Sequence, residues 1–481
     1  MTVPPGNLIL VMGANGYVGA RLIPLLLQSG YRVRCLVRRA TSLQGKPWQH
    51  QVEIAEGDVL RPETLPAALT DVAVIYYFIH SMARSTAFQE DDLTAARHCA
   101  QAAKNAGVQR IIYLGALGDP DADLSQHLRS RQDTGQVLAQ AGVPVTEFRA
   151  AVVLGSGSLS FELIRDLAER LPVMICPYWV YTRIQPIAVR NVMDYLVAAL
   201  TQPESAGRII EIGGEDTLTY GALMKTYAEV RHLRRFLIPV PVLTPRLSSY
   251  WIWFITPIPI AIARPLIEGL RNEVIVRDDT ARRLFPQIKL ECCRDAVEEA
   301  LRVGVEDQLT LSLEPKPDST LILTRTEGVF HERRWCRVHA RPAEIYAAFS
   351  QLGGEHGWPV LNWAWQVRGV IDRLCGGVGM RRSGQAELRA GDALDFWRIE
   401  IAEPNQLLRL RAEMKMPGQA WLQFHIQPDP AGGCHLVQTA LFEPHGLGGV
   451  LYWYLLYPIH CWIFQKMLER VALLSRRDPR N

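Results

Sequence analysis

The sequence predicts an α/β domain with a doubly wound parallel sheet, followed by a smaller α+β domain built on antiparallel strands. Three observations carry this. Leu8–Gly19, LILVMGANGYVG, sets five apolar residues suited to a buried strand ahead of glycines 13, 16 and 19 and a helix-like segment. A continuous apolar run at Val72–Ile79 then suits a parallel strand covered on both faces, and Arg110–Leu114 and Thr146–Leu154 supply further strands. From Met380 onward the pattern changes to alternation: Leu408, Leu410, Ala412 and Met414 point one way, and Arg409, Arg411, Glu413 and Lys415 the other.

At 481 residues the chain exceeds one ordinary domain. The change of pattern divides it into a first domain at 1–304, a linker at 305–326 with the composition EDQLTLSLEPKPDST, and a second domain at 327–475. A formal net charge of +3 with 21% charged residues gives no basic field for nucleic acid. Nine cysteines without a CxxC pair point to a reduced, cytoplasmic protein with no zinc site. The opening MTVPPGN has no secretory pattern. Gly446–Gln465 carries no Asp, Glu, Lys or Arg and is long enough to span a bilayer. Pro458, His460 and its place as the closing helix favour a core helix there, with peripheral contact to the inner face of the membrane as the other expectation.

The chemistry is concentrated in the first domain. Gly13 lets the chain turn off the strand, Gly16 clears the approach of a pyrophosphate, and Gly19 lets the helix pack close. Asn15 and Tyr17 belong to the same turn, whose helix N–H groups face the phosphates; Pro24, farther along, is expected to kink the helix. The next strand-like run ends in Arg38-Arg39, with no acid to accept a ribose 2′-hydroxyl, which favours NADPH and leaves NAD second. The bland alternative is two solvated arginines. His80 ends the Val72–Ile79 run at the edge where ligands of such sheets collect; it is a polar group near the nicotinamide ribose or a satisfied structural histidine.

The glycine turn, Gly57-Asp58-Val59, the QPI of Gln185–Ile187 with Asn191 and Asp194, and IIEIGG at Ile209–Gly214 resemble the atypical, NmrA-like branch of the short-chain dehydrogenase/reductase superfamily, over roughly residues 7–300. The resemblance implies a Rossmann-type fold, with Asp58 and Val59 against the adenine. It also implies a serine beyond the Arg110–Leu114 strand, where this chain has Gly115-Ala116-Leu117-Gly118. The family's Tyr, followed four residues later by Lys, is missing from Leu124–Ala141, which offers His127 and Arg131 at that spacing. Arg131 can hold a ribose and His127 can exchange a proton, or both are ordinary helix residues. An apolar substrate lobe falls at about 215–275, and similarity to the Rossmann-type accessory subunit of respiratory complex I suggests a quinone or lipid-like ligand.

The second domain, with Gly391–Trp397 reading GDALDFW, resembles a helix-grip, START-like fold found in bacterial domains fused to NmrA-like reductases. This implies a cavity for an apolar small molecule, with Asp392, Asp395, His425 and His445 as polar groups that either line it or serve turns and strand edges. Two functions follow as expectations. One is an NAD(P)H-dependent oxidoreductase acting on a lipophilic carbonyl or quinone, with His80 or His127 handling the proton. The other is a non-catalytic NADPH-binding redox sensor or assembly factor.

Overall fold

The computed structural model describes residues 2–80, 88–240, 259, 267–311, 313, 321–353, 357–382, 388–429 and 432–475. The chain divides into two compact units, Met1–Leu301 and Arg302–Asn481.

In the first unit the apolar runs become strands β1 (Leu8–Met12), β2 (Arg32–Val37), β3 (Glu53–Glu56), β4 (Val72–Tyr77), β5 (Arg110–Ala116), β6 (Val145–Ala150) and β7 (Ile209–Ile212). They form one parallel sheet in the order β7-β6-β5-β4-β1-β2-β3. Strand order reverses beside β1, which lies between β2 and β4, and a reversal of this kind opens a crevice at the carboxyl ends of the strands. Alternate residues of β1 feed different layers. Ile9 and Val11 pack with Leu22 and Ile23 of helix α1 (Tyr17–Gln28), and Leu10 and Met12 pack with Ala96 and Cys99 of α2 (Phe88–Asn105). Burial on both faces is why β1 reads as an unbroken apolar run. Helix α1 continues through Pro24 to Gln28, giving up one backbone donor.

Helix α3 (Gln126–Ala139) starts from an N-cap, Ser125, whose Oγ accepts from the Leu128 N–H. The remaining helices used below are α4 (Leu159–Arg170), α5 (Val189–Ala198), α6 (Tyr220–Val230), capped by Thr219, and α7 (Cys293–Leu311). The expected linker at 305–326 needs correction. Its first part continues α7, because Val305 and Leu309 lie one helical turn apart and pack with Trp421 and Leu441. Its last part, Leu321–Thr326, pairs as a strand. Of 312–320 only Leu313 is described, and of the apolar stretch 241–266 only Pro259, so most of the expected substrate lobe lies outside the described residues.

The second unit is an eight-stranded antiparallel sheet. Its strands are β8 (Leu321–Thr326), β9 (Val329–Val338), β10 (Arg381–Arg382), β11 (Ala393–Asp395), β12 (Trp397–Glu403), β13 (Leu407–Ala412), β14 (Gly418–Pro428) and β15 (Cys434–Pro444). They lie in the order β8-β9-β15-β14-β13-β12-β11-β10. Helices α8 (Pro342–Ser350) and α9 (Asn362–Leu374) follow β9, and α10 (Gly446–Leu474) closes the unit. Trp453 of α10 stacks on Phe330 and Phe442 of the sheet, and Phe464, Met467 and Val471 continue the buried face. By length and composition α10 is the one helix among the described residues able to cross a membrane. Its other face exposes Leu451, Tyr454, Leu455, Ile459 and Trp462.

Phe424 of β14 stacks on Phe349 of α8 at 5.4 Å, and both rings are fully buried. Phe424→Ala is expected to destabilise the second unit by about 3–5 kcal/mol, read as a lowered urea midpoint in tryptophan fluorescence.

Candidate active site

The glycine turn sits where β1 ends beside β4. Gly13 has φ +90°, and a Cβ there would lie 2.9 Å from the Phe78 carbonyl oxygen. A Cβ on buried Gly19 would overlap the Gly13 carbonyl oxygen. Gly16 caps α1 in extended conformation without any side-chain hydrogen bond, so an anion can approach the first-turn N–H groups there. Asn15 and Gly16 are exposed at the tip. The Tyr17 ring lies 4.1 Å from the Arg21 guanidinium, which also donates to the Ser156 carbonyl at 2.8 Å. A cradle that a single methyl group would fill fits a dinucleotide pyrophosphate.

Arg38 and Arg39 are exposed just past β2. Glu56 at the end of β3 is the neighbouring acid, and its carboxylate accepts the Ala40 N–H at 2.6 Å. Asp58 is used locally: Oδ1 accepts from the Leu60 N–H at 3.0 Å, the geometry of a turn. Val59 is buried, and its carbonyl lies 2.9 Å from His98 Nδ1.

His80 and His127 come together. His80 follows β4, His127 lies in the first turn of α3, and their ring centroids are 5.1 Å apart. His80 Nδ1 is 2.7 Å from Oδ2 of Asp92, a buried carboxylate on α2. His80 Nε2 and His127 Nδ1 are buried without a hydrogen-bond partner. Burial pushes His127 down to about 3, helped by His80 and Arg131. Burial also lowers His80, although the hydrogen bond to Asp92 opposes it. Arg131 is anchored elsewhere: its guanidinium donates to the Leu114 carbonyl at the end of β5 and lies over the Tyr113 ring.

A cavity of about 430 Å³ opens beside Ala116 and Ala150 at the carboxyl edge of the sheet. Leu128, Ile164, Met174 and Tyr220 form apolar walls, and His127 is the imidazole at its rim. Gln185 and Asn191 serve the scaffold instead. Gln185 bridges the Gly214 carbonyl and the Val276 N–H, and Asn191 bridges the Lys289 carbonyl and the Glu291 N–H. No group of three or more candidate metal ligands occurs among the described residues.

Asp92 is the residue that sequence reasoning missed. The signal was present: Ala95, Ala96 and Cys99 are its i+3, i+4 and i+7 neighbours and all are buried, so the acid interrupts an apolar helix face. In the second unit, Asp395 accepts from the Trp358 indole at 2.8 Å, and Asp392 accepts from the Arg389 N–H. His445 stands at the N-cap of α10, and His425 lies 3.2 Å from Gln427. These contacts belong to turns, caps and strand neighbours.

Residues 13–151 match the family described as NAD(P)H-binding, and residues 326–467 match one described as a protein of unknown function (DUF2867). The chain is 31% identical over 213 residues to the photosystem II assembly factor Ycf39 of Cyanophora paradoxa, covering 43% of this chain and 63% of that one. It therefore spans somewhat less than two thirds of that relative's length. It is 26% identical over 248 residues to a ceramide reductase of Caulobacter vibrioides, covering 50% of this chain and 76% of that one. The solved triphenylmethane reductase of Citrobacter sp. shares the fold at 19% identity, with a TM-score of 0.50 over 61% of this chain and 99% of that one. The first unit thus has a Rossmann-type fold, and residues 13–151 of it match the NAD(P)H-binding family.

Gly19→Ala is expected to weaken nucleotide binding about 5- to 150-fold in a fluorescence titration, because overpacking the turn costs roughly 1–3 kcal/mol. The depressed His127 value sets the acid limb of stability. The unfolded chain takes up this proton as pH falls below its ordinary 6.5 and the folded chain only near 3, so folding loses stability between those values. His127→Gln should flatten that limb in urea melts, by about 5 kcal/mol at most.

Proposed function

We propose that the first unit is an NAD(P)H-dependent reductase of a lipophilic carbonyl or quinone-like compound, with NADPH as the favoured nucleotide. The observation that carries this is the apolar cavity at the carboxyl edge of β5 and β6, with His127 as its proton-exchanging group. Ligands of open α/β sheets collect along that edge, and the glycine turn lies on it two strands away. The bound nucleotide supplies a hydride. The turn at Gly13–Gly19 holds its pyrophosphate, Arg38 with Arg39 second faces the 2′-phosphate, and the cavity walls orient the substrate and exclude water. His127 Nε2 carries the proton for the substrate oxygen. The ceramide reductase relative supports a greasy substrate class, at the level of similarity alone.

A second reading is favoured by the absence of a serine at Gly115–Gly118 and of a Tyr–Lys pair on α3, together with the similarity to an assembly factor. It is a nucleotide-binding sensor that does not turn over. In either case the second unit, an antiparallel sheet with α10 packed on it, suits a helix-grip, START-like role in holding an apolar ligand. The exposed row Leu451, Tyr454, Leu455, Ile459 and Trp462 supports peripheral contact with a cytoplasmic membrane face.

Steady-state NADPH oxidation with hydrophobic ketones and quinones separates the two readings. Turnover that Ile164→Glu abolishes, while nucleotide affinity stays within about twofold, supports the reductase; no oxidation with any of these substrates supports the sensor. Arg38→Ala should weaken NADPH binding about tenfold or more and leave NADH unchanged, since a charge-assisted contact to phosphate contributes about 1.5–3 kcal/mol.

A further inference from the structure

We infer that Asp92, His80 and His127 form a proton relay that ends in the apolar cavity, with Asp92 and His80 as positioning and proton-storing residues behind His127. This rests on the reductase reading above.

The relay follows from where each nitrogen sits. Asp92 is buried, and a buried carboxylate needs a donor; His80 Nδ1 at 2.7 Å is placed to be that donor. With its proton on Nδ1, His80 exchanges protons through Nε2. That atom is buried without a hydrogen-bond partner, as is Nδ1 of His127 on the neighbouring ring, 5.1 Å away between centroids at a 52° tilt. Two unsatisfied imidazole nitrogens on adjacent buried rings are costly unless one water bridges them, and such a water carries the proton from one ring to the other. His127 Nε2 is left for the cavity, because it is the ring nitrogen not among the enclosed, unpartnered atoms.

Charge decides the direction of transfer. His127 faces Arg131 of its own helix and His80 from the end of β4, and its pKa of about 3 keeps it neutral near neutral pH. It cannot store a proton as a cation, so it must receive one at Nδ1 as it gives one from Nε2. His80 faces Arg131 as well, but it also faces Asp92, whose carboxylate stabilises an imidazolium. The storable charge therefore belongs on His80.

In the loaded state Asp92 is ionised, His80 is an imidazolium, and neutral His127 carries its proton on Nε2. The reduced nicotinamide supplies a hydride, two electrons and one hydrogen, to the carbonyl carbon and is itself oxidised. As the C=O π pair moves onto oxygen, that oxygen takes the Nε2 proton of His127. His127 Nδ1 takes the Nε2 proton of His80, leaving His80 neutral with Nδ1–H still on Asp92. Solvent then returns one proton to His127 Nε2 through the cavity, and His127 hands its Nδ1 proton back to His80 Nε2, which restores the loaded state. The sum is one hydride and one proton consumed per alcohol formed.

The first test needs no nucleotide. Long-range ¹H–¹⁵N spectra of the full-length protein should show His80 protonated at Nδ1 at pH 8, and Asp92→Asn should shift its population toward Nε2–H. A wild-type His80 protonated only at Nε2 overturns the relay. The second test is the pH dependence of single-turnover reduction at saturating NADPH. The wild-type rate should fall about tenfold per pH unit once pH exceeds the His80 value, which burial sets below 6.5. Asp92→Asn and His80→Gln should each lower it about 100-fold with unchanged NADPH affinity and substrate KM. Retention of the wild-type profile by both variants also overturns the relay. Failure of the wild type to reduce any carbonyl or quinone sinks the reductase reading and proton delivery with it, whereas the spectra decide the Asp92–His80 tautomer on their own.

Discussion

The close approach of α1 to β1 is the constraint on which the first unit depends. Gly19 lies against the Gly13 carbonyl with no room for a methyl group, and Gly13 takes a left-handed conformation beside the Phe78 backbone. These contacts fix the helix on the sheet and leave its first-turn N–H groups open in the crevice between β1 and β4. Leu22, Ile23 and Leu26 reach the core because the helix starts so near the strand. The nucleotide site and the packing of one face of the sheet are therefore one arrangement, not two.

The other end of the crevice is built on different physics. There the cavity walls of Leu, Ile and Met leave His127 in an environment that disfavours its charge. Short-chain reductases, which the sequence of this unit resembles, ordinarily meet the same need with a tyrosine whose pKa a lysine lowers. Here the donor's ordinary value already lies near neutrality, and burial moves it further down. What such a donor lacks is a proton reserve, and an imidazole paired to a buried carboxylate provides one two groups away. Arg131, at the lysine's spacing, is tied to the Leu114 carbonyl and the Tyr113 ring. It holds α3 against the edge of β5 and so fixes where His127 stands.

Much of this was legible in the sequence, and the reasons for the rest are specific. Continuous apolar runs marked β1 and β4 because both faces of those strands are covered, β6 carries Thr146, Glu147 and Arg149 in equally buried positions, and alternation marked β13. The glycine turn was legible because backbone geometry there tolerates little else. The linker was misread at its start: Val305 and Leu309 keep helical spacing through a charged stretch, and only the partner surface of Trp421 and Leu441 shows that the pattern is buried. His80 and His127 were legible singly, each as a polar residue at a strand end or helix start. Their pairing was not, because it depends on β4, α2 and α3 converging, and no local pattern connects residues 80, 92 and 127.

Asp92 shows where sequence reasoning can be extended. An isolated acid on a solvated helix face means little, but one at the buried phase of an amphipathic helix has to find a partner or stay protonated. Helix α2 carries Asp91 and Asp92 side by side; only the second shares the face of Ala95, Ala96 and Cys99. A partner can then come from another element, and here the segment after β4 brings His80 Nδ1 to 2.7 Å from the Asp92 carboxylate. The same reasoning accounts for Asp395 of β11, another buried acid, which takes its donor from the Trp358 indole. In that case the donor cannot titrate, and the pair fixes a turn; at His80 it can, and the pair becomes a store of charge at the edge of an apolar cavity.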